Sequence, residues 1–252
     1  MSTMTPTELY KENPSRWSYA SWVDPEKGFL YIETPKVACT KIKKELQLLC
    51  SLPIPGNLND IHYRQPSEDY VRGLADFEEN FNEIFNDKIF RFCFVRHPKA
   101  RLISAYRDKI ILSKGPFWEK YRRQIRNMHA LGEGQHITFI NFLEYVASIP
   151  DKKRDIHWRS QSELLRPEVF KYNFIGRQEN FNHDFSHVLT KLGITNPEKY
   201  LQSRENVSHA SNKEIQYLFS TGEAHETELA DSPKVDELIS EIYSPDFGLF
   251  GY

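Results

Sequence analysis

The chain has only three cysteines in 252 residues (Cys39, Cys50 and Cys93), too few for a disulfide framework or a four-thiolate metal site. It has no excess of either charge. Lys and Arg total 33 against 35 Asp and Glu, a net charge of −2, whereas a dedicated nucleic-acid-binding domain is strongly basic. No apolar run approaches the roughly 18 residues that suit a membrane-crossing helix. The opening MSTMTPTELYKENPSRW lacks the apolar stretch of a secretory leader. The nine histidines are scattered, and HNHDF and DIHW are too sparse for zinc, so no metal is expected. These absences predict a cytoplasmic protein with reduced thiols. No repeat, low-complexity tract or long Pro/Gly/Ser linker is visible. The expected organisation is an N-terminal extension over 1–27 and one domain over 28–252.

Aromatic residues are plentiful. The 17 Phe, 13 Tyr and 4 Trp can build a large core. GFLYIET from Gly28 is short and rich in aromatic and β-branched residues, which predicts a buried strand. From Ala38 the period changes to helical, with Ile42, Leu46 and Leu49 on one stripe. NLNDIHY suggests a short second strand, and Leu74, Phe77, Phe81, Ile84 and Phe85 an amphipathic helix. IFRFCFV (89–95) reads as a strand with Phe90, Phe92 and Phe94 on one face, followed by a helix started at Pro98. Phe139 to Ile149 predicts another helix, and YNFIG (172–176) a late strand before a helix to about Leu192. Strands alternating with helices imply an α/β fold with a mainly parallel sheet flanked by helices. In that class ligands sit at the carboxyl ends of the strands.

Two such strand ends carry polar chemistry. TPKVACTK (34–41) leads from the first strand into its helix. The free N–H groups and the positive dipole end of a helix N-terminus make a natural anion cradle. Lys36 adds a full charge and Thr40 a hydroxyl. The loop lacks the glycines of a Walker A sequence. The second is FRFCFVRHPKARLISAYRDK (90–109). Arg96 lies where the strand ends, and Ser104 sits about 9 Å along the helix that follows. Arg101 and Ser104 share a helical face. A guanidinium and a hydroxyl converging on one point suit a phosphate monoester, but Arg96 and Arg101 can equally pair with surface acids such as Asp108.

Taken together, the two motifs resemble the nucleotide-binding motifs of sulfotransferases that use 3′-phosphoadenosine 5′-phosphosulfate (PAPS). More narrowly, they are similar to the carbohydrate sulfotransferases of the HNK-1 and chondroitin 4-O type. The likeness continues through DIHWRSQSELL (155–165), YNFIGRQENFNHDF (172–185) and DFGLFGY (246–252). It implies the P-loop-NTPase-like sulfotransferase fold, PAPS as co-substrate and a hydroxyl acceptor on a glycan or glycoconjugate. By position, the loop of Lys36, Val37, Ala38, Cys39, Thr40 and Lys41 takes the 5′-phosphosulfate, while Arg96 and Ser104 hold the 3′-phosphate. Two departures from the animal members are expected to matter: no membrane anchor is anticipated, and no cysteines follow the HW segment. Both departures fit a soluble bacterial protein.

Sulfuryl transfer needs an in-line attack, a stabilised leaving oxygen and a base for the acceptor proton. Lys36 is the candidate for the leaving charge, a kind of donor whose loss costs about 2.7–4 kcal/mol of barrier. His62 is the first candidate base, expected at a strand end, as other sulfotransferases place theirs. His157, in a loop with Arg154 and Arg159, is the second. YRRQIRNMH (121–129) and DKKRD (151–155) are either acceptor-binding or solvated basic faces. Trp118 and Trp158 either stack on a sugar or fill the core. The rival readings are a nucleotide-dependent kinase and a non-catalytic sulfonucleotide- or glycan-binding module.

Overall fold

Four strands pair in the order β1-β2-β3-β4 in the computed structural model, which describes residues 4–62, 69–201 and 232–252. They are β1 (Ser21–Asp24), β2 (Phe29–Ile32), β3 (Phe90–Val95) and β4 (Phe174–Arg177). β1 runs antiparallel to β2 through a short turn closed by Gly28 at φ 73°. β2, β3 and β4 are parallel, with Ile32 beside Cys93 and Val95 beside Arg177. The chain therefore adopts the α/β class, a mainly parallel sheet flanked by helices.

Two compact units divide the chain. One lies within Met1–Val95 and Leu165–Glu205, the other within Arg96–Leu164 and Asn206–Tyr252. The first carries the sheet. Every residue of β2 is buried, as expected for a parallel strand covered on both faces. Phe90, Phe92 and Phe94 share one face as the alternation predicts, and they pack with Tyr31, Ile42, Leu46, Phe185 and Leu189. The helices Cys39–Leu49 and Phe181–Lys191 supply those apolar stripes. The second unit is helical among its described residues. Pro98–Ala105, Phe139–Ser148 and Pro233–Ile242 enclose Leu102, Tyr106, Phe142, Trp158, Ile239 and Tyr243. Trp158 is wholly buried there, so it fills the core and is not presented to a sugar.

Several expectations are corrected. NLNDIHY is not a strand: Leu58–His62 is a 3-10 helix, and Tyr63 lies outside the described residues. Asn57 accepts a bond from the Asp60 amide at 2.9 Å, and Asn and Asp favour that turn over an extended chain. The segment from Leu74 is a 3-10 helix to Asn80, bent at Phe77 (φ −130°, ψ 18°), before a short α-helix over Phe81–Ile84. The helix from Pro98 widens into a π-helix over Tyr106–Leu112. β1 is a strand that the sequence pattern does not announce, because SWVD is only four residues long and too short to show an alternation.

Gly176 stands opposite Phe94 in the β3–β4 register. A Cβ at Gly176 would lie 2.4 Å from the Phe94 ring, closer than packed atoms allow. Gly176→Ala should therefore cost about 1–3 kcal/mol of stability through overpacking. Urea denaturation checks this, and an unchanged midpoint would mean the ring moves aside freely.

Candidate active site

The backbone turns abruptly where β2 gives way to the Cys39–Leu49 helix. Lys36 (φ 69°) and Ala38 (φ 52°) both take left-handed conformations without being glycine. Such residues cost on the order of 1–3 kcal/mol each and persist where the surroundings demand them. Here they turn the loop sharply into the helix, and left-handed residues in such turns are the kind of backbone from which anion-binding nests are made. Ala38 is the N-cap and supplies no side-chain cap. The amides of the first turn have no intrahelical acceptor by geometry. The helix dipole adds positive potential at the same place. Val37 and Cys39 are buried and anchor the loop, while Lys36 and Thr40 are half-buried. Burial pushes the Cys39 thiol up, with the Glu33 carboxylate acting in the same sense, so Cys39 is a packed thiol and not a nucleophile.

Beneath the loop lies a buried polar chain. Lys43, on the same helix as Thr40, is paired with Glu33 at the end of β2, and both side chains are at most 2% exposed. Lys43 Nζ also lies 3.0 Å from His62 Nδ1, and His62 Nε2 lies 2.8 Å from Thr40 Oγ1. The Tyr19 and Trp22 rings complete the surroundings of Lys43, with centroids 5.6 and 5.4 Å from its nitrogen. His62 thus sits in a 3-10 helix and not at a strand end, and both ring nitrogens are engaged.

The second motif is held differently. Arg96 follows β3 directly, and its main chain is clamped by one side chain. Its amide donates to Gln161 Oε1 at 2.9 Å, and its carbonyl accepts from Gln161 Nε2 at 2.8 Å. Gln161 is held in turn by Asp246, a buried residue near the C-terminus. Asp246 accepts from the amides of Gln161 and Ser162 at 2.8 and 2.7 Å, capping the helix Gln161–Leu165 from a distant part of the chain. His97 packs edge-on against Phe247 and Tyr252. Ser104 is half-buried on the helix begun at Pro98.

Arg101, for which the spacing left phosphate binding and pairing with acids both open, is turned inward onto backbone carbonyls. It is 2% exposed and donates to the carbonyls of Arg159 (2.7 Å) and Ile156 (2.9 Å). Burial draws its pKa down, against the opposing influence of Tyr243, Asp246 and Asp151. Its work is to pin the loop that carries His157. In that loop His157 Nδ1 is 2.6 Å from Asp155 Oδ1. Burial alone would raise the Asp155 carboxyl, but hydrogen bonds and charge from His157, with a bond from Tyr121, hold it below the ordinary range. Burial and the Asp155 charge push Tyr121 up to about 12, so it stays protonated and can donate. The Trp118 ring stands edge-on to His157 with centroids 5.3 Å apart. Asp155 and His157 have the relation of orienting carboxylate to imidazole that recurs in general bases.

The structure joins Thr40 to His62 in the first unit, where Lys36 also lies, and Arg96, Ser104 and His157 all lie in the second. Gln161, Asp246, Glu33 and Lys43 were not singled out from sequence. Gln161 and Asp246 fall inside two segments that carry the family resemblance, which was the signal available for them. The basic segments divide. Arg122 bonds Glu119, and Arg154 is buried against the carbonyls of Val146 and Ile149, whereas Lys152 and Lys153 are exposed. Among the described residues no group of three His, Cys, Asp or Glu side chains is placed to hold a metal ion, and no helix is long and apolar enough to cross a membrane.

A family model described as "Sulfotransferase family" matches residues 19–252. The chain is 27% identical over 240 residues to carbohydrate sulfotransferase 14 of Danio rerio, covering 91% of this chain and 61% of that protein. It is 26% identical over 259 residues to carbohydrate sulfotransferase 12 of Mus musculus, covering 91% and 59%. Similarity to carbohydrate sulfotransferase 11 of Rattus norvegicus is 26% over 241 residues, covering 89% and 67%. The chain thus spans about three-fifths of the length of the first two relatives. No solved structure matches it significantly.

Replacing Arg101 by Leu should leave two inward-facing carbonyls unbonded. A loss of at least about 2 kcal/mol in chemical denaturation is expected, since bonds to charged groups are worth about 1.5–3 kcal/mol each. Wild-type stability in Arg101→Leu would return Arg101 to the ligand-facing role that its spacing suggests.

Proposed function

The chain belongs to the sulfotransferase family, and we propose that it moves a sulfuryl group from PAPS to a hydroxyl of a carbohydrate. The observation that carries this reading is the strained loop at Lys36 and Ala38. That loop carries a helix N-terminus, a lysine and a hydroxyl within a few residues, on a frame without Walker A glycines. The names of the relatives support a carbohydrate acceptor.

In this reading the loop from Lys36 to Lys41 takes the 5′-phosphosulfate through its amides, with Lys36 and Thr40 adding a charge and a hydroxyl. Arg96 and Ser104 take the 3′-phosphate, the guanidinium offering two parallel donors. Gln161 serves this indirectly, because holding both main-chain groups of Arg96 narrows the positions its side chain reaches. The acceptor oxygen attacks sulfur, and a new O–S bond forms as the bond from sulfur to the 5′-phosphate oxygen breaks. Lys36 neutralises the charge that grows on that leaving oxygen. The acceptor proton goes to a base, and His157 is the better candidate. An Nδ1–H donated to Asp155 puts the basic lone pair on Nε2 and stabilises the imidazolium that forms. His62, the first candidate from sequence, has Nδ1 against an ammonium and Nε2 against Thr40, so its geometry suits holding Thr40.

Thermal-shift measurements with 3′,5′-adenosine bisphosphate, AMP and ATP–Mg²⁺ test the donor assignment. The bisphosphate should stabilise the protein most, and Arg96→Ala should weaken it about tenfold to a hundredfold while leaving AMP nearly unaffected. Equal weakening for both nucleotides would remove Arg96 from the 3′-phosphate, and preference for ATP–Mg²⁺ would indicate a kinase.

His157→Ala should keep bisphosphate affinity and lose about 10²–10⁴ in transfer rate. The wild-type rate should fall as pH is lowered and the imidazole protonates, since only the neutral ring accepts a proton. That acidic limb should be missing from the residual activity of the variant. A silent His157→Ala with an inactive His62→Ala would exchange the two roles.

A further inference from the structure

The side chains beneath the first loop settle the direction of a hydrogen bond, and that direction decides how Thr40 meets an anion. An ammonium has three donors and no acceptor, so at 3.0 Å Lys43 Nζ donates and His62 Nδ1 must accept. The anion beside the Lys43 ammonium is the Glu33 carboxylate, in a place where both side chains are at most 2% exposed. With its lone pair committed at Nδ1, a neutral His62 carries its proton on Nε2. At 2.8 Å that N–H donates to Thr40 Oγ1. A hydroxyl that accepts there directs its own proton elsewhere.

The opposite tautomer would reverse the outcome. With the proton on Nδ1, Nε2 would accept from Thr40, and the threonine oxygen would turn lone pairs toward any anion in the cradle. Charge-assisted bonds to an anion need donors. Lys43 and Glu33 exclude this arrangement, because the Lys43 ammonium cannot accept from Nδ1–H.

We propose that Glu33, Lys43 and His62 form a buried positioning chain that fixes the Thr40 hydroxyl as a donor toward the anion loop. None of the three need touch the ligand. This rests on the donor reading above only for the identity of the anion. It also explains a lysine and a glutamate buried together under a polar loop, where an apolar pair would pack as well.

Two measurements test the chain. Imidazole ¹⁵N and ¹³C chemical shifts of the unliganded wild-type protein at pH 7 should show His62 neutral with its proton on Nε2. A proton on Nδ1, or on both nitrogens, overturns the proposal without any variant. A double-mutant cycle then reads the coupling through the affinity for 3′,5′-adenosine bisphosphate. Thr40→Val and His62→Ala should each weaken binding about tenfold, and the double variant should bind no more weakly than Thr40→Val alone. His62→Gln, whose amide can accept from Lys43 and donate to Thr40, should recover most of the affinity. Additive losses overturn the proposal, since a merely structural histidine would act independently of Thr40. If the wild type binds no bisphosphate while His62 carries its proton on Nε2, the nucleotide reading falls and the orientation of Thr40 stands.

Discussion

The parallel pairing of β2 with β3 is the constraint on which the chemistry depends. Its register, Phe29 beside Phe90 through Ile32 beside Cys93, sends the two strands out at one edge of the sheet. The loop that begins at Thr34 and the residue that follows Val95 both start from that edge. A slip of one residue would turn every side chain of a strand to the other face. The stacked Tyr31 and Phe92 rings, 5.1 Å apart, and the Phe94 ring filling the space over Gly176 oppose such a slip.

Each unit uses buried polar side chains where an apolar core would be simpler. Glu33 and Lys43 are buried as a pair beneath the first loop. Arg101, Gln161 and Asp246 are buried with their polar atoms on backbone groups. Arg101, Gln161 and Asp246 are each held on more than one contact, as low local polarity demands of a buried polar group. The same contacts restrict the loops carrying Lys36, Arg96 and His157. Electrostatic catalysis needs donors that do not reorganise during reaction, and loops anchored at both main-chain groups meet that requirement better than loops held by apolar packing alone.

Much of the frame was legible in the residues. The apolar blocks at 28–34, 89–95 and 172–176 marked three of the four strands, because parallel strands buried on both faces read as unbroken apolar runs. The helices after Ala38, after Pro98 and over 139–149 were legible from their 3.6-residue period and from proline at the start. β1 was not, since four residues are too few to show a period. The 3-10 helix at Leu58–His62 was misread because turn-forming Asn and Asp alternated with Leu and Ile in a pattern that mimics a strand.

The sequence by itself determined the α/β class, the order of the two polar strand–loop–helix motifs and the residues Lys36, Thr40, Arg96 and Ser104 as candidates. These follow from local patterns: a strand, a polar loop and a helix in immediate succession. Only the tertiary structure decided what surrounds them. It turned Arg101 inward onto two carbonyls, joined His62 to Lys43 and Thr40, and set Asp155 on His157. It also brought Gln161 to Arg96 across 65 residues and Asp246 to Gln161 across 85. Hydrogen-bond partners at such separations leave no period or spacing in the chain, because they are chosen by the packing of whole elements and not by neighbours in sequence.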